Sequence, residues 1–142
     1  MAILSTFVLS DNSNQVLNPN GQGTTLQVVN PQNIFRPMFI PGGHSFSVTF
    51  GFLEVNPDAQ HRIQFSIISC ETGEQVINID NIEVPPNAQP DKFIPKESTG
   101  IMLNFDFRNV PFKKEGKYEV HITLDGETLD KKPFYVYKQG SN

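Results

Sequence analysis

Apolar and polar residues alternate with a period of two along most of this chain, the pattern of strands with one face buried and the other in water. The clearest run starts at Gly116. Tyr118, Val120, Ile122 and Leu124 alternate with Lys117, Glu119, His121 and Thr123, and Asp125-Gly126 follows as a hairpin turn signal. Two other runs are as regular. Ile101, Leu103, Phe105 and Phe107 oppose Met102, Asn104, Asp106 and Arg108, while Phe46, Val48, Phe50 and Phe52 oppose Ser45, Ser47, Thr49 and Gly51. Gly51 predicts a bulge or the close approach of another backbone. Ile63, Phe65 and Ile67 form the inner face of a strand over residues 62–70, and Glu71-Thr72-Gly73-Glu74 turns it into another over residues 75–84.

The remaining segments are shorter or broken. Residues 3–9 read as a strand that ends in the turn-rich Ser10-Asp11-Asn12-Ser13-Asn14. Residues 16–23 read as a long loop or loose hairpin, and residues 25–29 as a strand stopped by Asn30-Pro31. Residues 33–40 are extended, with Pro37 at an edge or bulge because it has no N–H to give a central strand. Pro41-Gly42 reads as a type II turn and Asn56-Pro57-Asp58 as another turn. Residues 85–98 hold four prolines and no period, near the upper length for an unstructured connection in a compact domain. Residues 133–137 form the last strand, and 138–142 are expected to fray. About eight strands with closely spaced turns predict an all-β fold, an antiparallel two-sheet sandwich in a single domain spanning residues 1–142.

Composition agrees. The chain of 142 residues has 12 Phe, 11 Pro and no Trp, and is long enough to bury roughly two thirds of its unfolded surface. Its formal net charge is -4, with lysine and arginine scattered. A nucleic-acid binder working through the phosphate backbone would carry a basic stripe, so none is expected as partner. No apolar run approaches the roughly 18 residues of a membrane helix, so membrane insertion is not expected. The apolar residues 1–9 lack a preceding positive charge and a clear cleavage site, and read as strand rather than signal peptide. The single cysteine, Cys70, allows no internal disulfide, and the absence of a cysteine framework points to a reducing, cytoplasmic compartment.

Glu115-Gly116-Lys117-Tyr118-Glu119-Val120 resembles the turn before the penultimate strand of immunoglobulin and fibronectin type III domains, where Gly-x-Tyr opens the strand and the tyrosine hydroxyl caps the preceding corner. Val120 stands where antibody domains have cysteine, and the tryptophan partner is missing. The resemblance therefore implies an immunoglobulin-like or related architecture. Over nearly its whole length the chain is also similar to an uncharacterised bacterial family of short all-β proteins, a domain of unknown function. The residues carrying that similarity are Leu4-Ser5-Thr6-Phe7-Val8-Leu9-Ser10-Asp11, Pro41-Gly42-Gly43-His44-Ser45-Phe46-Ser47-Val48, Leu103-Asn104-Phe105-Asp106-Phe107-Arg108-Asn109-Val110, Glu115-Gly116-Lys117-Tyr118 and Pro133-Phe134-Tyr135-Val136. It implies a bacterial β-sandwich and supplies no catalytic residue.

Candidate chemistry is sparse. His44, His61 and His121 fall on three segments without a second ligand at metal-binding spacing, and His121 reads as a solvated histidine. Cys70, beside Glu71, reads as a buried structural cysteine. Asp11, Asn12 and Asn14 lack the glycine and distal glutamate of a calcium loop, and Gly21-x-Gly23 lacks the lysine and strand–helix context of a phosphate loop. No enzyme and no cofactor are expected. The sharpest polar set is Asn104, Asp106 and Arg108. If their strand neighbours residues 117–124 they join Glu119, His121 and Thr123 on one sheet face, read either as an ordinary wet face with Asp–Arg pairing or as a shallow site for a small ligand or carbohydrate. The apolar candidates for contact with a protein partner, or for self-association, are Phe35, Met38, Phe39 and Ile40 around Pro37, with Phe93 and Ile94 in the proline-rich loop. The leading expectation is a non-catalytic protein–protein interaction or assembly module in a bacterial cell, acting through an edge strand and loops. The alternative is a small-ligand or carbohydrate-binding sandwich using Asn104, Asp106, Arg108 and His121.

Overall fold

The computed structural model describes residues 2–21, 23–87 and 91–140. Nine strands are present among them: β1 (Ile3–Leu17), β2 (Thr24–Pro31), β3 (Ile34–Phe35), β4 (Gly42–Leu53), β5 (His61–Ser69), β6 (Gln75–Val84), β7 (Gly100–Phe112), β8 (Gly116–Leu124) and β9 (Glu127–Val136), with one 3-10 turn at Lys96–Ser98. They form two sheets, ordered β2-β1-β4-β7 and β3-β9-β8-β5-β6. Every pairing is antiparallel except β3–β9, which is parallel. The all-β, two-sheet sandwich expected from the alternation is the fold observed.

The inner faces are those the period-two pattern picks out. Phe46, Val48, Phe50 and Phe52 from β4 meet Ile63, Phe65 and Ile67 from β5 and Val120 and Ile122 from β8, each at most 2% exposed. Ten of the 12 phenylalanines lie in this core or pack on it; only Phe39 and Phe93 are exposed. The outer face of β4 departs from expectation, because Ser47 and Thr49 are buried as well. Ser13 lies three residues beyond Ser10, the last β1 residue paired with β4, yet it hydrogen-bonds Asn104 and Asp106 on β7. A straight β1 could not reach them. The distal half of β1 therefore leans across the outer face of β4. The bulge anticipated at Gly51 lies in the facing strand, where Ser5 is the extra residue between the Leu4–Phe52 and Thr6–Gly51 pairs. A Cβ on Gly51 would run into Met102 Sδ and sit 2.9 Å from the Ile101 carbonyl oxygen, so the glycine leaves room for its neighbour.

Several local expectations change. Ser10–Asn14 is not a turn: these residues continue β1 and pair with β2, and the Asn-Pro-Asn-Gly sequence makes the reversal instead. Their backbone-binding side chains are accommodated within the ladder, as when Ser10 Oγ donates to the Asn12 carbonyl. Pro41-Gly42 is not a type II turn, since Ile40–Pro41 is cis and Gly42 has no positive φ. Residues 138–139 are held rather than frayed. The Lys138 amide donates to Glu115 Oε2 and the Gln139 amide to the Pro37 carbonyl. Ser141 and Asn142 lie outside the described residues.

The resemblance at Gly116-x-Tyr118 is realised in detail. The Tyr118 hydroxyl donates to the Lys114 carbonyl at 2.6 Å, and its ring packs edge-on to Phe112 and stacks on Phe134. Replacing Tyr118 with phenylalanine keeps that packing and removes only the bond. The expected loss is about 1 kcal/mol, read as a lowered midpoint in urea at unchanged m; no shift would remove the corner's role in stability.

Candidate functional site

The expected interaction residues divide by strand period. Phe35 is fully buried, packed between Phe46, Phe134 and His44, which corrects its reading as a contact residue. Pro37 is buried and Ile40 packs against the core, so Ile40 too is largely internal. β3 sits at a sheet edge, but its inner residue finds an aromatic pocket. Met38 and Phe39 remain, 68% and 71% exposed. The structure adds three residues the sequence reading did not select. Ile34 pairs with Tyr135 across the β3–β9 ladder, and Tyr137 lies two residues further on. All three are exposed, and the two tyrosine rings stack with centroids 6.1 Å apart and planes 8° from parallel. The available signal was alternation: Phe134 and Val136 point inward, so Tyr135 and Tyr137 point outward.

This edge is held from both sides of the chain. The Tyr135 and Tyr137 amides donate to the Asn33 and Phe35 carbonyls, and Arg36 donates from Nε to the Tyr137 carbonyl and from Nη2 to that of Lys138. Beside it opens a cleft of about 360 Å³, lined in part by Arg36, Met38, Phe39, His44, Asn109 and Gln139. His44 Nε2 is buried without a hydrogen-bond partner. Burial pushes its pKa down, with the Asp11 charge acting the other way; the ring packs against Phe35 and Phe46 in the aromatic cluster.

Phe93 and Ile94 lie at the opposite end of the sandwich. Phe93 is 95% exposed, and Ile94 lines a groove of about 310 Å³ with Val55, Val84 and Ile101. At the rim, His61 contacts Asp125 Oδ2 through Nδ1 and the Asn56 carbonyl through Nε2, both at 2.7 Å. Both partners are acceptors, so the protonated ring, a donor at both nitrogens, satisfies the two contacts together. Burial lowers its pKa, but these bonds and the Asp125 charge outweigh that and raise it. The pair fastens the β8–β9 turn to the start of β5, and the carboxylate also accepts the Arg62 amide at 2.8 Å. With its nitrogens occupied, His61 has none left for a substrate.

The polar set is not brought together. β7 neighbours β4, not β8, so Asn104, Asp106 and Arg108 lie on the outer face of one sheet and His121 on the outer face of the other. Asp106 accepts hydrogen bonds from Ser47 and Ser13, and Asn104 bonds Ser13. Among the described residues no ion pair joins Asp106 to Arg108. His121 contacts Glu119 at 3.0 Å, and both side chains are partly buried. Cys70 is exposed rather than a core residue; partial desolvation of its thiol and the nearby Glu119 charge raise the pKa, which leaves it a poor nucleophile. Among the described residues no three His, Cys, Asp or Glu side chains cluster as metal ligands, and no helix is long and apolar enough to cross a membrane.

Comparison with known proteins gives a family and no activity. No curated protein matches the sequence. Solved structures with some similarity include an alkylpurine DNA glycosylase of Pseudomonas fluorescens (10% identity, TM-score 0.48, 74% of this chain and 27% of that one). Another is a β-glucosidase of Listeria innocua (12%, 0.47, 93% and 16%). A third is an immunoglobulin-like protein of Pseudomonas aeruginosa (10%, 0.43, 96% and 97%). The chain thus spans about a quarter of the first of these and a sixth of the second. Residues 9–137 match the model of a family described as of unknown function, DUF6941, and the chain belongs to that family.

Proposed function

We propose that this chain is a non-catalytic interaction or assembly module of a bacterial cell, and that it holds a protein partner through the β3–β9 edge. The observation carrying this reading is the grouping of five exposed large apolar side chains, Ile34, Met38, Phe39, Tyr135 and Tyr137, on one edge and its adjoining connection. Exposed hydrophobics scattered singly are ordinary, whereas several on neighbouring segments, two of them stacked rings, favour an interaction surface. The edge backbone is tied down by Arg36 and the β3 ladder, so a partner would meet a preformed surface and pay little ordering entropy. Beyond β3, β9 carries Asp130, Lys131, Lys132 and Pro133, which discourage strand addition there. The contact is therefore through side chains.

The test is a pull-down from the native host with wild type, Phe39→Asp and Tyr137→Asp, and with Arg108→Ala on the far face as control. A defined partner should be retained by wild type and Arg108→Ala and lost from both aspartate variants, each with unchanged circular dichroism. Equal capture by all four proteins would sink the reading.

A further inference from the structure

The two sheets end in four edges, at β2, β7, β6 and the β3–β9 pair. Exposed edges are normally defended against pairing with another chain by charges, proline or bulges. Three of these edges are. β6 carries Asp80 and Glu83, β7 carries Asp106 and Arg108, and β9 carries its charged run and Pro133. β2 has no such defence. Its eight residues are Thr24-Thr25-Leu26-Gln27-Val28-Val29-Asn30-Pro31, rich in β-branched side chains and uncharged throughout, with proline only at the last position. The neutral stretch is longer than the strand, since residues 12–35 contain no Asp, Glu, Lys, Arg or His. It covers the distal half of β1, the hairpin turn and β2, and runs on through the connection to the two residues of β3, in a chain whose net charge is -4.

We propose that β2 is a strand-addition edge at which two copies of this chain pair antiparallel, β2 against β2, joining two four-stranded sheets across a two-fold axis. Charge selects the occupant. Two copies of a -4 chain repel each other over most of their surface, and this hairpin is where they can approach with the least repulsion. A charged strand would gain no ion pair from a neutral edge and would lose its hydration. An identical neutral strand loses nothing of the kind, and it supplies the N–H and C=O groups that an edge leaves unpaired. With the axis beside Gln27, Leu26 faces Val28 of the second copy on one side of the sheet and Thr25 faces Val29 on the other. Leu26 and Val28 are half-buried and Val29 is 41% exposed, so the pairing would extend both rows of side chains. This inference stands apart from the β3–β9 contact surface, which belongs to the other sheet.

Sedimentation velocity of the full chain across a micromolar concentration series tests it, with Gln27→Lys, Phe39→Asp and a Gln27→Cys/Cys70→Ser double variant. Gln27 is exposed, so lysine there should leave the circular dichroism and melting temperature unchanged. Wild type is expected to show a reversible monomer–dimer equilibrium. Gln27→Lys should weaken it by about two- to fivefold, because two like charges meet at the axis, while Phe39→Asp leaves it intact. Residues directly opposite in an antiparallel pair have Cα atoms about 4.5–5.5 Å apart, within disulfide reach. The double variant should therefore cross-link to a dimer on oxidation. A wild type that stays monomeric at the highest concentration overturns the proposal. So does a dimer that survives Gln27→Lys but is lost in Phe39→Asp, and so does a cysteine variant that fails to cross-link.

Discussion

Phe65→Ala is expected to destabilise the fold by about 3–5 kcal/mol, the range for emptying a large aromatic site in a core. Phe65 is fully buried on β5. Its ring stacks on Phe50 at 5.8 Å and on Phe107 at 5.6 Å, and tilts against Phe105 at 6.2 Å. Those three rings come from β4 and β7, in the opposite sheet. Phe65 therefore joins the two layers, and the hole left by its removal would be walled by rigid rings that cannot collapse into it. Domains of this size are stable by about 5–15 kcal/mol, so the variant should melt far below wild type or fail to fold at 37 °C. Phe65→Leu keeps most of the volume and should lose less than half as much. Urea denaturation of the three proteins checks this; a loss under about 1 kcal/mol for the alanine variant would mean the sheets are held mainly elsewhere.

The second large effect depends on pH. Asp125→Ala removes the bond to the His61 imidazolium and the bond from the Arg62 amide, and should cost about 1–2 kcal/mol near pH 5.5. The lower part of the range for charged bonds applies because Asp125 is about half exposed and partly screened by water. The two groups set the window. Burial acts to lower the His61 pKa, but its hydrogen bonds raise it above the ordinary value near 6.5. Its contribution is complete below about pH 6.5 and lost as pH rises through the raised value. Burial acts to raise the Asp125 pKa, but the bonds from His61 and Arg62 lower it. That contribution is complete above about pH 4 and lost as pH falls through the lowered value. The gap between wild type and variant should therefore be widest between about pH 4 and 6.5 and narrow on both sides. On the alkaline side a residue remains from the Arg62 amide bond. His44 titrates in both proteins, so the difference profile isolates the pair. A gap that is flat from pH 4 to 9 would show that Asp125 acts only through the turn backbone.

That turn shows how local rules and long-range contacts divide the work. Asp125 and Gly126 have φ of 50° and 86°, the positive values a tight hairpin turn needs and these residue types tolerate. The dipeptide therefore announces the hairpin. Nothing near it announces His61, 64 positions away. The same holds for the polar set. Alternation places Asn104, Asp106 and Arg108 on one face of a strand, but the neighbours of that face depend on sheet order, which period-two spacing does not encode. Phe35 shows it for burial. Ile34 and Phe35 are both large apolar residues at an edge, and the aromatic hole formed by Phe46, Phe134 and His44 decides which of them is covered.

By itself the sequence determined most of the strands and their inward residues, the Asp125-Gly126 hairpin, the Tyr118 corner and the two-sheet class. Each of these follows from steric and solvation rules that act between residues close along the chain. Only the tertiary structure decided that β7 pairs with β4, that β1 leans over Ser47 and Thr49, and that Ile34 and Tyr135 meet across the β3–β9 ladder. Those outcomes depend on the sum of contacts between segments tens of residues apart, and on which apolar face finds the better-shaped partner once the chain has closed on itself.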